Sequence, residues 1–345
     1  MVVRFDAVEK PVSLPAAVRM ADVARRASVS PATVSRVLNG RDSVGAAYRR
    51  RVLEAVEELS YRPNRLAQNL RRQRTATIGV VVSDIENPHF SEMVRAVEDR
   101  AYRQGYRVLV CNTDESPEKQ RAYLQTLVEE RVVGVVLTTS DPVGREISEL
   151  LDRGIPLVAF DREVADARAD AVIAENVGAA RSAVELLVGG GHQRIAFVSG
   201  RKDVETGAER LDGYQLAMRA HGLEPEVVEG RFRTDSARAA VAQLMAETDR
   251  PTALIVGNNL MTLGALAAVQ DAGITVPHHL ALVAFDDPSW AALVDPPLTT
   301  LAQPVRRMAT EAMELLLERI SGARTEPRRT VHPFVLRKRT SCGTG

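Results

Sequence analysis

The sequence predicts a small all-α head followed by a larger two-lobed α/β body built on parallel sheets. Three observations predict it. Charge is unevenly spread: residues 1–74 carry 15 Lys/Arg against 7 Asp/Glu, a net +8, and the rest carries the matching −8, for an overall charge of zero. Residues 20–59 show short apolar stripes at helical spacing with tight turns between them. From Thr77 onward, short apolar runs alternate with amphipathic helical stretches, the pattern of strands covered by helices on both faces. With 345 residues and 45% hydrophobic content, the chain can bury more than one core.

Residues 1–18 hold two prolines and no helical stripe, and they read as an unstructured leader, with Met20 an alternative start. Met20–Ala27 places Met20, Val23, Ala24 and Ala27 on one helical face. Ser30 is a good N-cap, and Pro31 sits at the first helical position, where its missing N–H costs nothing. Pro31–Leu38 forms the second helix with Val34, Val37 and Leu38 inward, ended by Asn39-Gly40. Ala46–Leu59 forms a third, burying Val52, Leu53, Val56 and Leu59. Two short helices on a tight turn with a third across them make a helix-turn-helix, whose second helix enters the DNA major groove. The alternative is a plain helical bundle with a solvated basic face.

The run DVARRASVSPATVSRVLNG (Asp22–Gly40), followed by YRPNRLAQNLR (Tyr61–Arg71), resembles the signature of the lactose-repressor (LacI/GalR) family of transcriptional regulators. The resemblance implies that Ser30, Thr33, Ser35, Arg36 and Asn39 contact operator DNA, with Arg36 able to pair bidentately with guanine. Pro31 and Ala32 depart from some members and cannot hydrogen-bond bases, although Ala32 can touch a thymine methyl. Gly45 stands where a capping Ser or Thr is common. The short basic stretch Pro63–Arg72 is too short for a stable isolated helix. By resemblance it is a hinge helix that orders in the minor groove, with Asn64 as a contact and Leu70 as the wedge between base pairs. Read without the resemblance, it is an interdomain linker.

In the body, strands are predicted at Ile78–Val82, Arg107–Cys111, Val133–Leu137, Leu157–Phe160, Ile195–Ser199, Ala253–Val256 and Leu280–Phe285. Helices are predicted at Phe90–Gln104, Glu118–Glu130, Ala179–Leu187, Arg210–Ala220, Ala237–Ala246 and Met261–Ala272. The body resembles the family's effector domain, which shares the fold of periplasmic sugar-binding proteins. The expected organisation is a leader at 1–18, a helix-turn-helix domain at 19–60, a hinge at 61–76, and an effector-binding and dimerisation domain at 77–345. Its lobes are expected at 77–174 with 303–328, and at 175–302 with 329–340, so that Gln303–Ile320 packs back on the first lobe.

Open α/β sheets bind ligands beyond the carboxyl ends of their strands. The polar groups there are Asn87–Phe90, Asn112–Asp114, Asp161-Arg162, Asn258-Asn259 and Asp286-Asp287, with Arg210 after the loop that follows Ser199. Asp161, Arg210, Asn258 and Asp286 are the leading effector contacts, although Asp also caps helices and forms turns. Phe90, Phe232 and Trp290 are the aromatic candidates. Asp161-Arg162 resembles the pair that sugar binders of this fold place on hydroxyls. Thr206-Gly207-Ala208 before Arg210, with Phe232 downstream, resembles a purine-binding member of the family. A sugar is the first expectation, a purine or nucleoside the second.

No stretch approaches the roughly 18 apolar residues of a membrane helix, and the N-terminus has no apolar signal core. Cys111 and Cys342 give neither a disulfide framework nor a metal spacing, and no cofactor is implied. GxSxG, Walker A, HExxH and GxGxxG are absent, so an enzyme is disfavoured. A secreted sugar-binding protein is disfavoured by the basic head. The expectation is a cytoplasmic homodimeric regulator on double-stranded operator DNA. Arg337–Gly345 lacks a leucine heptad that would tetramerise it. The sequence fits either sign of response to the effector.

Overall fold

The structure, a computed structural model, describes residues 18–38, 44–61 and 75–343. The chain divides into two compact units, Met1–Gln73 and Arg74–Gly345.

In the first unit, α1 (Met20–Ala27), α2 (Pro31–Leu38) and α3 (Ala46–Glu58) enclose a small core of Val23, Ala24, Ala27, Val34, Val37, Val52, Ala55 and Tyr61. The turn between α1 and α2 uses a left-handed Ser28, φ 51°. Arg51 of α3 donates to Ala27 O at 2.6 Å, satisfying a carbonyl that the end of α1 leaves without a helical partner. The expected cap is present: Thr33 N donates to Ser30 Oγ at 3.1 Å. Gly45 precedes α3 and gives no side-chain cap. One core expectation fails. Leu53 is 50% exposed, because α3 turns Val52 and Ala55 inward instead.

The second unit holds two sheets of the same design. The elements of the first lobe are β1 (Thr77–Val82), α4 (Pro88–Arg103), β2 (Arg107–Asn112), α5 (Pro117–Glu129), β3 (Val135–Leu137), α6 (Arg145–Asp152), β4 (Leu157–Phe160) and β5 (Asp170–Ala174). The second lobe runs through α7 (Asn176–Gly189), β6 (Ile195–Ser199), α8 (Glu205–Ala220), β7 (Glu226–Glu229), α9 (Thr234–Met245), β8 (Ala253–Val256), α10 (Asn259–Asp271), β9 (Ala281–Phe285) and β10 (Thr299–Ala302). The chain then returns through α11 (Val305–Ser321), β11 (Arg329–His332) and β12 (Val335–Arg337). The strand orders are β2-β1-β3-β4-β5-β11 and β7-β6-β8-β9-β10-β12. All pairings are parallel except β10 with β12. The central strands β3, β4, β6, β8 and β9 are buried throughout, and β1 from Ile78 on, which explains their apolar runs.

The chain crosses between lobes after β5, after β10 and between β11 and β12. As expected, α11 packs on the first lobe, sharing a core with Met93, Val97 and Val158. The last crossing falls later than predicted. Arg329–His332 pairs with Asp170–Ala174 in the first sheet, and only Val335–Arg337 joins the second. Buried Asp170 draws the incoming segment to the first sheet: it takes Arg324 Nη1 at 2.7 Å and Arg328 N at 2.6 Å. Phe334, at the crossing, packs against the cores of both lobes.

Candidate functional site

The carboxyl ends of both sheets face one cleft of about 600 Å³, counting the part open to solvent. Of the nine predicted contacts, eight line it: Phe90, Asp161, Arg162, Thr206, Arg210, Phe232, Asn258 and Asp286. Trp290 does not. It lies in a short 3-10 turn and packs with Leu282, Ala284 and Leu298, so it is a packing residue on the other side of β9.

Each cleft side chain is placed by its element. Asp161 and Asp286 are the first residues after β4 and β9, and both adopt left-handed backbones that Asp tolerates. Asp286 accepts from Gln303 Nε2 at 3.0 Å and from Asn259 N at 3.2 Å. Asn258 caps α10 through Met261 N at 2.8 Å, so part of its polarity is spent on the helix. Arg210 is buried. It donates to Asn176 Oδ1 at 2.8 Å and Gly257 O at 2.6 Å and lies 4.6 Å from the Phe285 ring centroid. Burial lowers its pKa, yet a guanidinium stays cationic at physiological pH.

Arg162 is committed within its own lobe. It grips Glu115 bidentately, 2.6 Å at both oxygens, and donates to Thr139 O at 3.0 Å. Burial alone would raise the Glu115 pKa, but the Arg162 hydrogen bonds and charge outweigh it and hold that carboxyl below its ordinary range. Of the Arg162 nitrogens, Nε alone makes no hydrogen bond to the described residues; it lies 3.7 Å from Asp161 Oδ2. His89 is buried beside Asp161, Nε2 to Oδ1 3.5 Å, and neither ring nitrogen makes a hydrogen bond. Phe232 has φ 60°, and its ring lies over Gly200, where any Cβ would collide with it.

Three contacts tie the lobes across the cleft. Arg233 Nη1 meets Asp84 Oδ2 at 3.0 Å, Asn259 Nδ2 donates to Asn87 Oδ1 at 2.9 Å, and Glu163 N donates to Glu205 Oε2 at 2.7 Å. Burial pushes the carboxyls of Asp84 and Glu205 up.

Sequence reasoning missed Asp84, Glu115, Arg201, Arg231, Arg233 and Gln303, all of which line the cleft. The strand-end rule alone points to Asp84 and Arg201, which follow β1 and β6 by two residues. Arg231 follows β7 and Gln303 follows β10, strands the pattern did not predict.

In the first unit, Ser30, Thr33 and Arg36 fall three residues apart in one row along α2, with Ser35 farther round the helix beside Pro31. Arg36 and Ser30 are exposed, and Ser30 Oγ lies 2.9 Å from Thr33 Oγ1. Asn39, Asn64 and Leu70 lie outside the described residues.

Known proteins match both units. Residues 19–64 match the family "Bacterial regulatory proteins, lacI family", and residues 184–342 match the family "Periplasmic binding protein-like domain". The chain is 38% identical over 325 residues to the HTH-type transcriptional repressor PurR of Vibrio atlanticus (strain LGP32), covering 92% of this chain and 97% of the relative. A crystal structure of the lac repressor dimer bound to operator and the anti-inducer ONPF superposes with a TM-score of 0.85 at 29% identity, covering 94% of this chain and 99% of that one. A transcriptional regulator CelR–cellobiose complex superposes with a TM-score of 0.71 at 33% identity, covering 94% and 99%.

Proposed function

The chain belongs to the lacI family of bacterial regulatory proteins, and from that premise we propose that it is an operator-binding repressor whose DNA affinity is set by a purine-class small molecule in the cleft. The observation that carries the ligand class is the setting of Phe232. Its ring forms an apolar wall over Gly200, with Thr206, Arg210 and Asp286 lining the same cavity. A flat apolar face beside a donor and acceptor edge suits a planar heterocycle. The PurR relatives, similar along nearly their whole length, support the same class.

The first expectation, a sugar, ranks second on this geometry. It leaned on Asp161-Arg162, and Arg162 already spends its terminal nitrogens on Glu115 and Thr139. Asp161 keeps the sugar reading alive, because its carboxylate is free to accept hydroxyls, and structural relatives bind cellobiose and ribose.

The regulatory mechanism is a two-state one. A homodimer sets two α2 helices on a pseudo-palindromic operator. The effector binds between the lobes, changes their relative position, and so changes DNA affinity through a coupling of about 1–3 kcal/mol. Among the described residues, no helix is long and apolar enough to cross a membrane. Thermal unfolding of the purified protein against purines, nucleosides and sugars tests the ligand class. A ligand at 100 times its Kd adds about 2.7 kcal/mol to the folded state. A response to sugars alone would reverse the ranking.

A further inference from the structure

The charges lining the cleft are segregated by lobe. The first lobe contributes Asp84, Asp114, Glu115 and Asp161 with one guanidinium, Arg162. The second contributes Arg201, Arg210, Arg231 and Arg233 with one carboxylate, Asp286. One jaw is therefore net negative and the other net positive, although the lining as a whole is balanced.

The positive jaw has a rim built from two touching loops. Arg201 follows β6, and Arg231 and Arg233 follow β7. Arg231 N donates to Ser199 O at 3.2 Å, which locks the second loop to the end of β6. Left-handed backbones at Arg231 and Phe232, φ 54° and 60°, carry the chain through the turn in which Phe232 stands between Arg231 and Arg233 in sequence, all three lining the cleft. Each rim arginine is partly exposed and keeps unused donors. Arg201 spends Nε and Nη2 on Asp203, Arg233 spends Nη1 on Asp84, and Arg231 Nε reaches Glu229 only at 3.5 Å.

We propose that the effector is a phosphorylated pentose, its phosphate held by Arg201, Arg231 and Arg233 and its hydroxyls by the carboxylates of the facing lobe. A phosphomonoester carries close to two negative charges at neutral pH, and guanidinium forks match its oxygens in pairs. Hydroxyls donate to carboxylates such as Asp161 and Asp84, which when ionised are acceptors without a donor of their own. A dipolar ligand of this kind fits oppositely charged jaws, whereas an uncharged base leaves both unmatched. The same chemistry occurs in a pentose phosphate and in a nucleoside monophosphate, whose base would stack on Phe232. The inference rests on the reading of the cleft as the effector site.

Calorimetric titration of the full chain with ribose, ribose 5-phosphate, guanosine, guanosine 5′-monophosphate and inorganic phosphate tests it. At least one ester is expected to bind about tenfold or more tightly than its unphosphorylated partner. The difference should shrink with added salt, since the rim is open to solvent. Arg201→Gln combined with Arg231→Gln should erase it. Preference for the nucleotide or for the sugar phosphate identifies the source; either supports the phosphate and pentose assignment, and preference for the sugar phosphate would set aside the purine-class reading. Guanosine or ribose binding as tightly as its ester would overturn the phosphate while leaving the cleft as effector site. Inorganic phosphate binding as tightly as the esters would overturn the role of the pentose. No binding by any of the five would overturn this proposal, and the purine-class reading would then stand or fall on the free bases in the thermal-unfolding panel.

Discussion

Asp161 and Asp286 occupy matching posts in the two sheets. Each follows a strand that ends in phenylalanine, Phe160 or Phe285. Each takes a left-handed backbone, φ 69° and 68°, and each donates its amide to the next strand, at Val172 O and Leu301 O, 3.0 and 2.9 Å away. Because the strand order is duplicated, both carboxylates face the cleft. Their surroundings differ. Asp286 is held by Gln303 and the Asn259 amide, whereas the nearest cationic nitrogen to Asp161 is Arg162 Nε at 3.7 Å.

Asp286→Asn is therefore expected to fold normally and to bind effector poorly. Asparagine tolerates the left-handed backbone and keeps one acceptor, but it loses the charge. Binding should weaken by about tenfold or more, the equivalent of one charge-assisted hydrogen bond. Asp286→Ala should also destabilise the fold by about 1–3 kcal/mol, because it strains the backbone and orphans two donors. Calorimetry and urea unfolding separate the two effects, and wild-type affinity in the Asn variant would remove Asp286 from the ligand contacts.

Gly200 and Gly207 make a contrasting pair. A Cβ at Gly200 meets the Phe232 ring, which can swing away, whereas one at Gly207 meets the backbone carbonyl of Arg201, which cannot. Gly200→Ala should thus displace Phe232 and weaken effector binding by about tenfold, with a modest loss of stability. Gly207→Ala should cost about 1–3 kcal/mol of stability in urea titrations. Equal stability losses in the two variants would show that Phe232 is not free to move.

The sequence was legible where burial was uniform and illegible where tertiary pairing decided. Leu157–Phe160, Ile195–Ser199 and Ala253–Val256 were predicted to the residue, since strands covered on both faces must be apolar without interruption. Asp170–Ala174 begins on a charge and Glu226–Glu229 carries one at each end, and neither was among the predicted strands. Arg329–His332 is a strand only because β5 offers it an edge and Asp170 binds the arginines beside it. The cleft candidates followed from the strand-end rule and from resemblance, and that same route erred at Trp290. A lone aromatic after a strand does not reveal which face it takes. The rim arginines escaped because charged residues in loops are ordinarily solvated.

Glu205 is a carboxylate whose burial raises its pKa from 4.5, while it accepts from Glu163 N across the cleft. With its folded pKa above the unfolded one, its contribution is favourable below the unfolded value and is lost as pH rises through the folded value. At neutral pH it is therefore a cost. Glu205→Gln keeps a carbonyl acceptor for Glu163 N and removes the charge. It should raise Tm by about 1–3 °C at pH 7, and the gain should vanish as pH falls below the unfolded value of about 4.5. A gain of equal size at pH 4 and pH 7 would show that its origin is not the carboxylate charge.

The α2 face lends itself to a similar separation of roles. Ser30 both caps α2, through Thr33 N at 3.1 Å, and stands at the helix start, where hydroxyls and amides meet phosphates. Arg36 caps nothing and is exposed in the same row. Ser30→Ala should lower the stability of the head by about 1 kcal/mol and weaken binding to operator and non-operator DNA alike. Arg36→Ala should leave stability unchanged. If Arg36 reads a guanine, its loss costs about 1–3 kcal/mol on the operator alone, with the salt dependence of binding preserved. If it holds a phosphate instead, both duplexes weaken together and the slope of log K against log salt falls by about one. Anisotropy titrations of both variants on matched duplexes over a range of salt decide it, and an Arg36→Ala protein that binds both duplexes like wild type would take α2 out of the major groove.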